Sequence, residues 1–277
     1  NHGIGMTCFP FIKLFKLFKN INFIVINSGL FAMKKSYLIV RILRKIVMTL
    51  FLNTVDIIIF TSRSEFNFAK KQYPKFNDKF ICQPFCLDLD FWKPKKEIKN
   101  HDKEGILFIG SNGHRDFNLV IEIANNLRNI PFTFITKVIK DSDIKSQNVN
   151  NILGDWNASY LSDPEIKNFY ENSRLVILPI NNTLVSSGQS AGLQAASVGT
   201  TVLTTRTIGF WDYDKYKDSE NIIFVEGNEL DLWVDKINEV YENQSLLNTI
   251  SSNSIKLVRE EYNLNKFNLD LKKYLKL

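Results

Sequence analysis

The sequence predicts an α/β protein built on parallel sheets, and three observations predict it. Short uninterrupted apolar runs, such as residues 175–178 and 201–205, read as strands covered on both faces. Segments of helical length separate one run from the next, so strands alternate with helices along the chain. Residues 175–213 alone hold a complete strand, loop, helix and strand, a βαβ unit. Its polar loop ends in Ser186-Ser187-Gly188-Gln189 and opens a small-residue helix over 190–198, which Gly199 closes. The start of that helix presents unpartnered N–H groups and the positive end of its dipole, so an anion would sit there.

The remaining elements follow in order. Residues 4–19 predict a helix and 22–27 a strand, turned by Ser28-Gly29. A longer helix covers 33–52, and a strand over 55–60 ends in Thr61-Ser62. A helix over 64–72 stops before Pro74, and 80–82 is a short strand that runs into Gln83-Pro84-Phe85. Residues 88–102 turn charged and irregular, the composition of a linker. A second block then supplies a strand at 105–110, a loop at 111–116, a helix at 117–126 and strands at 132–136 and 151–154. A helix at 164–172 leads into the βαβ unit; after it come a strand at 222–225, a helix at 230–241 and a last helical region from 246 onward. Ligands of such sheets are expected beyond the carboxyl ends of the strands.

Composition bounds the reading. A chain of 277 residues, 44% hydrophobic and 23% charged, is globular and long enough for one large domain or two ordinary ones. Three cysteines (Cys8, Cys82, Cys86) and three histidines (His2, His101, His114) fit neither a disulfide framework nor a zinc pattern, so a cytoplasmic location is expected. The chain opens on Asn1 with no signal-peptide order, which reads as a fragment boundary. Residues 1–55 hold no Asp or Glu and eight basic residues (Lys13, Lys16, Lys19, Lys34, Lys35, Arg41, Arg44, Lys45). That stretch carries +8 and the rest, by difference from the net +6, carries −2. Basic residues interleaved with Phe, Leu and Ile suit peripheral contact with an anionic membrane at its inner face; a solvated basic face on a core helix suits them equally. Residues 38–60 are long enough to span a bilayer but are broken by Arg41, Arg44, Lys45 and Asp56. No nucleic-acid motif is present, and nucleic acid is not an expected partner.

Several short signatures occur in a fixed order: Asp56 to Ser62 with Glu65; Pro84-Phe-Cys-Leu-Asp88 with Phe91-Trp92-Lys93-Pro94; Ile109-Gly110 with Arg115-Asp116; Pro179 with Ser187-Gly188-Gln189 and Gln194-Ala195; Gly199; and Gly209 with Asp212-Tyr213. In this order and spacing the chain resembles the GT-B glycosyltransferases of family 4, retaining enzymes that use nucleotide sugars. The resemblance covers nearly all of the chain, although no one motif is specific. It implies two Rossmann-like domains with parallel sheets, the N-terminal one incomplete. Residues 1–92 would be the acceptor side, 93–258 the nucleotide-sugar side, and 259–277 a C-terminal helix crossing back.

The resemblance also implies a site. Sugar transfer requires stabilising the charge that develops on the leaving diphosphate, which cationic side chains and a helix N-terminus can do without a metal. Gly188, Gln189 and Ser190 stand where the phosphate-binding loop should be. Arg115, reached through the loop after Gly110, is the phosphate ligand able to bind in a forked manner. Lys137 is its one candidate partner, and an ordinary surface lysine is the favoured reading of it. Thr136, Gly154 and Asp155, with Trp156, follow strands on the side where the family recognises the base; Trp156 could equally be core. Two glutamates of the family, one by the donor sugar and one on the ribose, are replaced here by Ser186 and Gln194. Ser186 cannot supply a carboxylate, whereas Gln194 can still hydrogen-bond a hydroxyl. Asp88-Leu89-Asp90 has a metal-binding form that Asp141-Ser142-Asp143 and Asp212-Tyr213-Asp214 repeat, and all three are read as non-metal. No cofactor is expected.

The expected activity is therefore a metal-independent retaining hexosyl transfer from a UDP- or GDP-linked donor to a hydroxyl acceptor. The acceptor would be a glycan or lipid-linked, as in surface polysaccharide synthesis. Two alternatives stand beside it: a sugar-nucleotide epimerase, which would need no acceptor, and a non-catalytic nucleotide-sugar-binding protein, which would explain Ser186 and Gln194.

Overall fold

The computed structural model describes residues 2–32, 37–94, 102–155, 158 and 160–275. Two parallel sheets organise the chain. The first has the order β1-β2-β3, from Ile24–Asn27, Ile57–Phe60 and Phe80–Cys82. The second runs β6-β5-β4-β7-β8-β9, from Val149–Ile152, Phe132–Ile135, Glu104–Ile109, Ser173–Leu178, Thr201–Thr205 and Ile223–Val225. All of its pairings are parallel. Counted within that sheet the order is the Rossmann one, and its direction reverses between β4 and β7, the point at which open α/β sheets bind ligands.

Strand alternation builds a core on each face of the second sheet. Ile106 and Phe108 of β4 pack with α4 (Phe117–Asn126) and with Trp233 and Ile237 of α7 (Leu230–Tyr241). Leu107 and Ile109 face the other way, toward α6 (Gln189–Ser197), whose Ala191, Ala195 and Ala196 let it lie close to the sheet. The first sheet packs through an aromatic cluster of Phe31, Phe51, Phe60 and Phe80.

Local chemistry sets the helix starts. Ser62 caps α3 (Arg63–Gln72) by accepting the Glu65 N–H, and Ser162 and Glu165 cap α5 (Asp163–Asn172) reciprocally, with Pro164 in the first turn. Glu65 is fully buried, and its carboxylate accepts the N–H groups of Gly29 at 2.8 Å and Phe31 at 2.9 Å, which fixes the turn after β1.

The two halves meet at α3. Arg63 and Ser64 donate to the carbonyls of Trp211 (2.9 Å) and Phe210 (2.6 Å), and the Arg63 side chain pairs with Asp212 at 3.4 Å and Asp214 at 3.3 Å.

Several expected boundaries move. The strand expected at 151–154 is β6 at Val149–Ile152, a half-exposed edge strand whose Asn150 and Asn151 hid its start. The last helical region is two helices, α8 (Gln244–Glu261) and α9 (Leu264–Leu275), so position 258 falls inside α8. Between them Leu87, just before the expected linker, donates to the Tyr262 carbonyl at 2.8 Å and pairs with Asn263. At the start of the chain, α1 is His2–Phe15 and α2 is Leu38–Thr54; residues 33–36 of the expected second helix lie outside the described residues. Among the described residues no helix is long and apolar enough to cross a membrane.

Lys103 is 2% exposed, and its ammonium donates to the Gly199 carbonyl and the Thr200 hydroxyl, both at 2.9 Å, tying the start of β4 to the end of α6. Burial pushes its pKa down to about 8, so between pH 8 and its ordinary value of 10.5 the unfolded chain holds a proton that the folded chain has released. Stability linked to this group therefore rises with pH across that window. Thermal unfolding of wild type minus that of Lys103→Met is expected to show the rise; a flat difference would refute it.

Candidate functional site

The site is built at the carboxyl ends of β4 and β7. After β7, residues Pro179 to Asn181 pair in antiparallel fashion with His114 to Asp116, through Asp116 N–H to the Pro179 carbonyl (3.0 Å) and Asn181 N–H to the His114 carbonyl (2.9 Å). This pairing carries Arg115 across the switch point. Its guanidinium lies against the backbone of Gly110, where a Cβ would come within 2.6 Å of Nε. Gly110 also has a φ of +147°, so glycine is needed there twice over.

Arg115 is 6% exposed. Its Nη1 donates to Ser187 Oγ at 3.0 Å and its Nη2 to the Ile109 carbonyl at a long 3.4 Å, while buried Nε has no partner. Ser187 in turn donates to Asn112 Oδ1 at 3.0 Å. Burial pushes the Arg115 pKa down to about 10, with the Tyr170 phenol acting weakly in the opposite direction, so the group stays cationic at neutral pH. A desolvated, under-bonded cation of this kind is one that an anion would stabilise.

The loop from Ser186 to Gly188 presents the start of α6 to the same place. Gly188 is left-handed (φ +83°), where any Cβ would meet Ile180 at 3.0 Å and the Arg115 guanidinium at 3.1 Å. Ser186 Oγ is buried without a partner. A cavity of about 400 Å³ opens here, with Ile26, Ser28 and Thr61 on the first-sheet side and Gly110, Arg115, Ser186, Gly188, Gln189 and Ser190 on the other. Among the described residues Arg115 is its one charged lining residue. The wall is thus rich in donors and carries one positive charge beside the positive end of α6.

A second cavity of about 140 Å³ shares Ile109, Gly110 and Ser111 with the first and holds Gly154, Asp155 and Asp163 beside the apolar Ile135, Ala158, Leu161 and Ile166. Asp155 pairs with Lys137 at 2.7 Å on its rim, so Lys137 is engaged away from Arg115. Ser111 fastens the three loops, donating to the Gly154 carbonyl at 2.8 Å and accepting the Lys137 N–H. A third cavity, joined to the first through Phe85 and Ser190, contains Gln194 and Asp88. Gln194 Oε1 accepts the buried Tyr170 hydroxyl at 3.2 Å, so its carbonyl is committed within the fold.

The structure therefore gathers Gly110, Arg115, Ser186, Gly188, Gln189 and Ser190 in one cavity, with Gly154, Asp155 and Gln194 in its two extensions. Thr136 lines none of them; it is 1% exposed and its hydroxyl accepts the Val138 N–H at 3.1 Å. Trp156 lies outside the described residues. The side chain of Gln189 donates to the Thr61 carbonyl at 3.0 Å across the cleft, so its amide NH₂ is committed to the first-sheet side. Sequence reasoning missed Asn112 and Thr61, each at the end of a strand; that position was the one available signal. It also gave Ser187 no role of its own.

No protein-family model matches the chain, and no curated protein sequence does. The shape has solved counterparts. A glycosyltransferase from Rickettsia africae superposes over 95% of this chain and 73% of its own, with a TM-score of 0.70 at 13% identity. HepE from Anabaena in complex with UDP-glucose matches 84% of this chain and 66% of its own, with a TM-score of 0.65 at 11% identity. TarM from S. aureus in a complex that contains UDP matches 97% of this chain and 53% of its own, with a TM-score of 0.72 at 14% identity. The chain thus spans about half to three quarters of the length of these proteins.

Proposed function

We infer that this chain, whose fold is GT-B, binds a nucleotide sugar in the cleft between its two sheets and transfers the sugar to a hydroxyl acceptor. The observation that carries the reading is the buried, partnerless Nε of Arg115 in the wall of a donor-rich cavity at the sheet's switch point. The diphosphate would lie between Arg115 and the N-terminus of α6, and both would gain interaction as charge develops on the leaving group. The base would enter the cavity beside Gly154 and Asp155, and the ribose that of Gln194. The sugar would then face Ser186, Ser28 and Thr61. We take the first sheet as the acceptor half and the second as the donor half, with α9 beyond them. The two complexes cited above contain UDP, which makes UDP the first nucleotide to test.

The transfer we propose retains configuration, with the leaving phosphate guiding the acceptor proton. Such a step calls for no general-base side chain, and among the described residues no acid or histidine lines the main cavity. The acceptor we favour is a glycan or a lipid-linked glycan. A second reading has its own support: Ser186 and Gln194 stand at the two places where the resemblance expects acids, which favours a protein that binds the donor without turning it over.

A panel of UDP- and GDP-sugars incubated with the protein and a membrane extract separates these readings. Release of nucleotide that depends on the extract supports transfer. Donor binding without release supports the non-catalytic protein, and absence of binding removes both.

A further inference from the structure

Among the described residues the wall of the main cavity holds one cation, Arg115, whereas a diphosphate carries more than one negative charge. Lys137 is paired with Asp155 instead. A second donor stands in the same wall. Asn112, in the loop between β4 and α4, lines the cavity beside Arg115 and is exposed there. Its Oδ1 accepts two hydrogen bonds, from the Ser187 hydroxyl at 3.0 Å and from the His114 N–H at 3.2 Å.

Those two bonds settle which way the amide points. A backbone N–H can only donate, so the atom that faces His114 is the carbonyl oxygen; turned over, the amide would set its NH₂ against that N–H. Ser187 Oγ is engaged on both sides. It accepts Arg115 Nη1 at 3.0 Å, and its own proton goes to Asn112. The hydrogen bonds therefore run one way, from the guanidinium through Ser187 to Asn112, and each polarises the next. The Asn112 NH₂ is left at the positive end of an aligned amide dipole, and among the described residues no hydrogen bond occupies it.

We propose that Asn112 is a further ligand of the diphosphate, with its Nδ2 donating to a phosphate oxygen from the loop between β4 and α4. This role rests on the donor-binding reading of the cavity and assigns that reading a second side chain. Arg115 supplies the charge, Asn112 supplies a neutral donor whose direction is fixed before the ligand arrives, and Ser187 between them sets their spacing.

Calorimetry of the full chain with UDP, and with inorganic pyrophosphate as its competitor, tests the assignment. Asn112→Asp is the deciding variant, because a carboxylate still accepts from Ser187 and His114 but turns an acceptor, in place of a donor, toward the cavity. UDP affinity is expected to fall by at least about 30-fold in Asn112→Asp and by about tenfold in Asn112→Ala, with pyrophosphate weakened alongside. Thermal unfolding of Asn112→Asp should match wild type, since the loop keeps its bonds. The ratio of wild-type to Asn112→Asp affinity should persist in about 1 M salt, where charges that are not in contact are screened. A ratio that returns to unity there would mean repulsion without contact and would overturn the proposal. Wild-type UDP affinity in Asn112→Asp would overturn it as well, and would leave Asn112 a holder of Ser187 and Arg115. So would a loss for UDP that spares pyrophosphate, which would put the contact on the nucleoside. A wild-type protein that binds neither UDP, GDP nor pyrophosphate would remove the donor-binding reading and this role together.

Discussion

Arg115→Met is expected to weaken UDP binding by about 10- to 100-fold, the range set by losing charge-assisted hydrogen bonds of roughly 1.5–3 kcal/mol. The same variant is expected to unfold at the wild-type temperature or above it. In the free protein the guanidinium is 6% exposed, with one good hydrogen bond, one long one and an empty Nε, so its burial costs stability that methionine of similar length does not. Arg115→Lys should recover only part of the affinity, since an ammonium cannot reach Ser187 and a phosphate in the forked manner of a guanidinium. Calorimetry with UDP, beside thermal melts, reads both quantities. Unchanged affinity in Arg115→Met would remove Arg115 from the site. Lost affinity together with a collapsed melting temperature would make it a structural residue.

Gly110→Ala tests the same assembly without touching a charge. The left-handed backbone at φ +147° costs an alanine about 1–3 kcal/mol, and the new Cβ would fall 2.6 Å from Arg115 Nε, so the guanidinium must move. The expected result is a lower melting temperature and a loss of UDP affinity on the order of tenfold, although every polar group of the site remains. A variant that melts early but binds UDP as wild type does would show that Gly110 serves the backbone alone.

Strands and helices were largely legible because their signals are local. The strand at Thr201–Thr205 and the helices at Phe117–Asn126 and Leu230–Tyr241 have the expected bounds, each set by apolar patterning and by turn or capping residues beside it. The edge strand β6 was placed two residues late, because a half-solvated edge tolerates Asn150 and Asn151 where a central strand would not. The last helical region, expected from 246 onward, divides at 262–263, where a partner 175 residues earlier in the chain, Leu87, claims the carbonyl of Tyr262. No local pattern could report that bond.

The site divides in the same way. The loop from Ser186 to Ser190 and the position of Arg115 after β4 were readable, since each depends on which residue follows which strand. What those side chains do was not readable: Gln189 is committed to Thr61, Gln194 to Tyr170, Lys137 to Asp155 and Thr136 to its own turn. Each commitment joins residues whose proximity is created only when the sheets are packed.

By itself the sequence determined the alternation of elements, the parallel sheets and the anion-ready start of α6, because backbone hydrogen bonding and apolar periodicity act over a few residues. The tertiary structure alone decided that Arg115 is buried with an open Nε, that Gly110 must lack a side chain, and that Gln189 reaches across to Thr61. Burial, and with it the strength of a charge or the cost of an exposed leucine, is a property of the packed chain and of no segment within it.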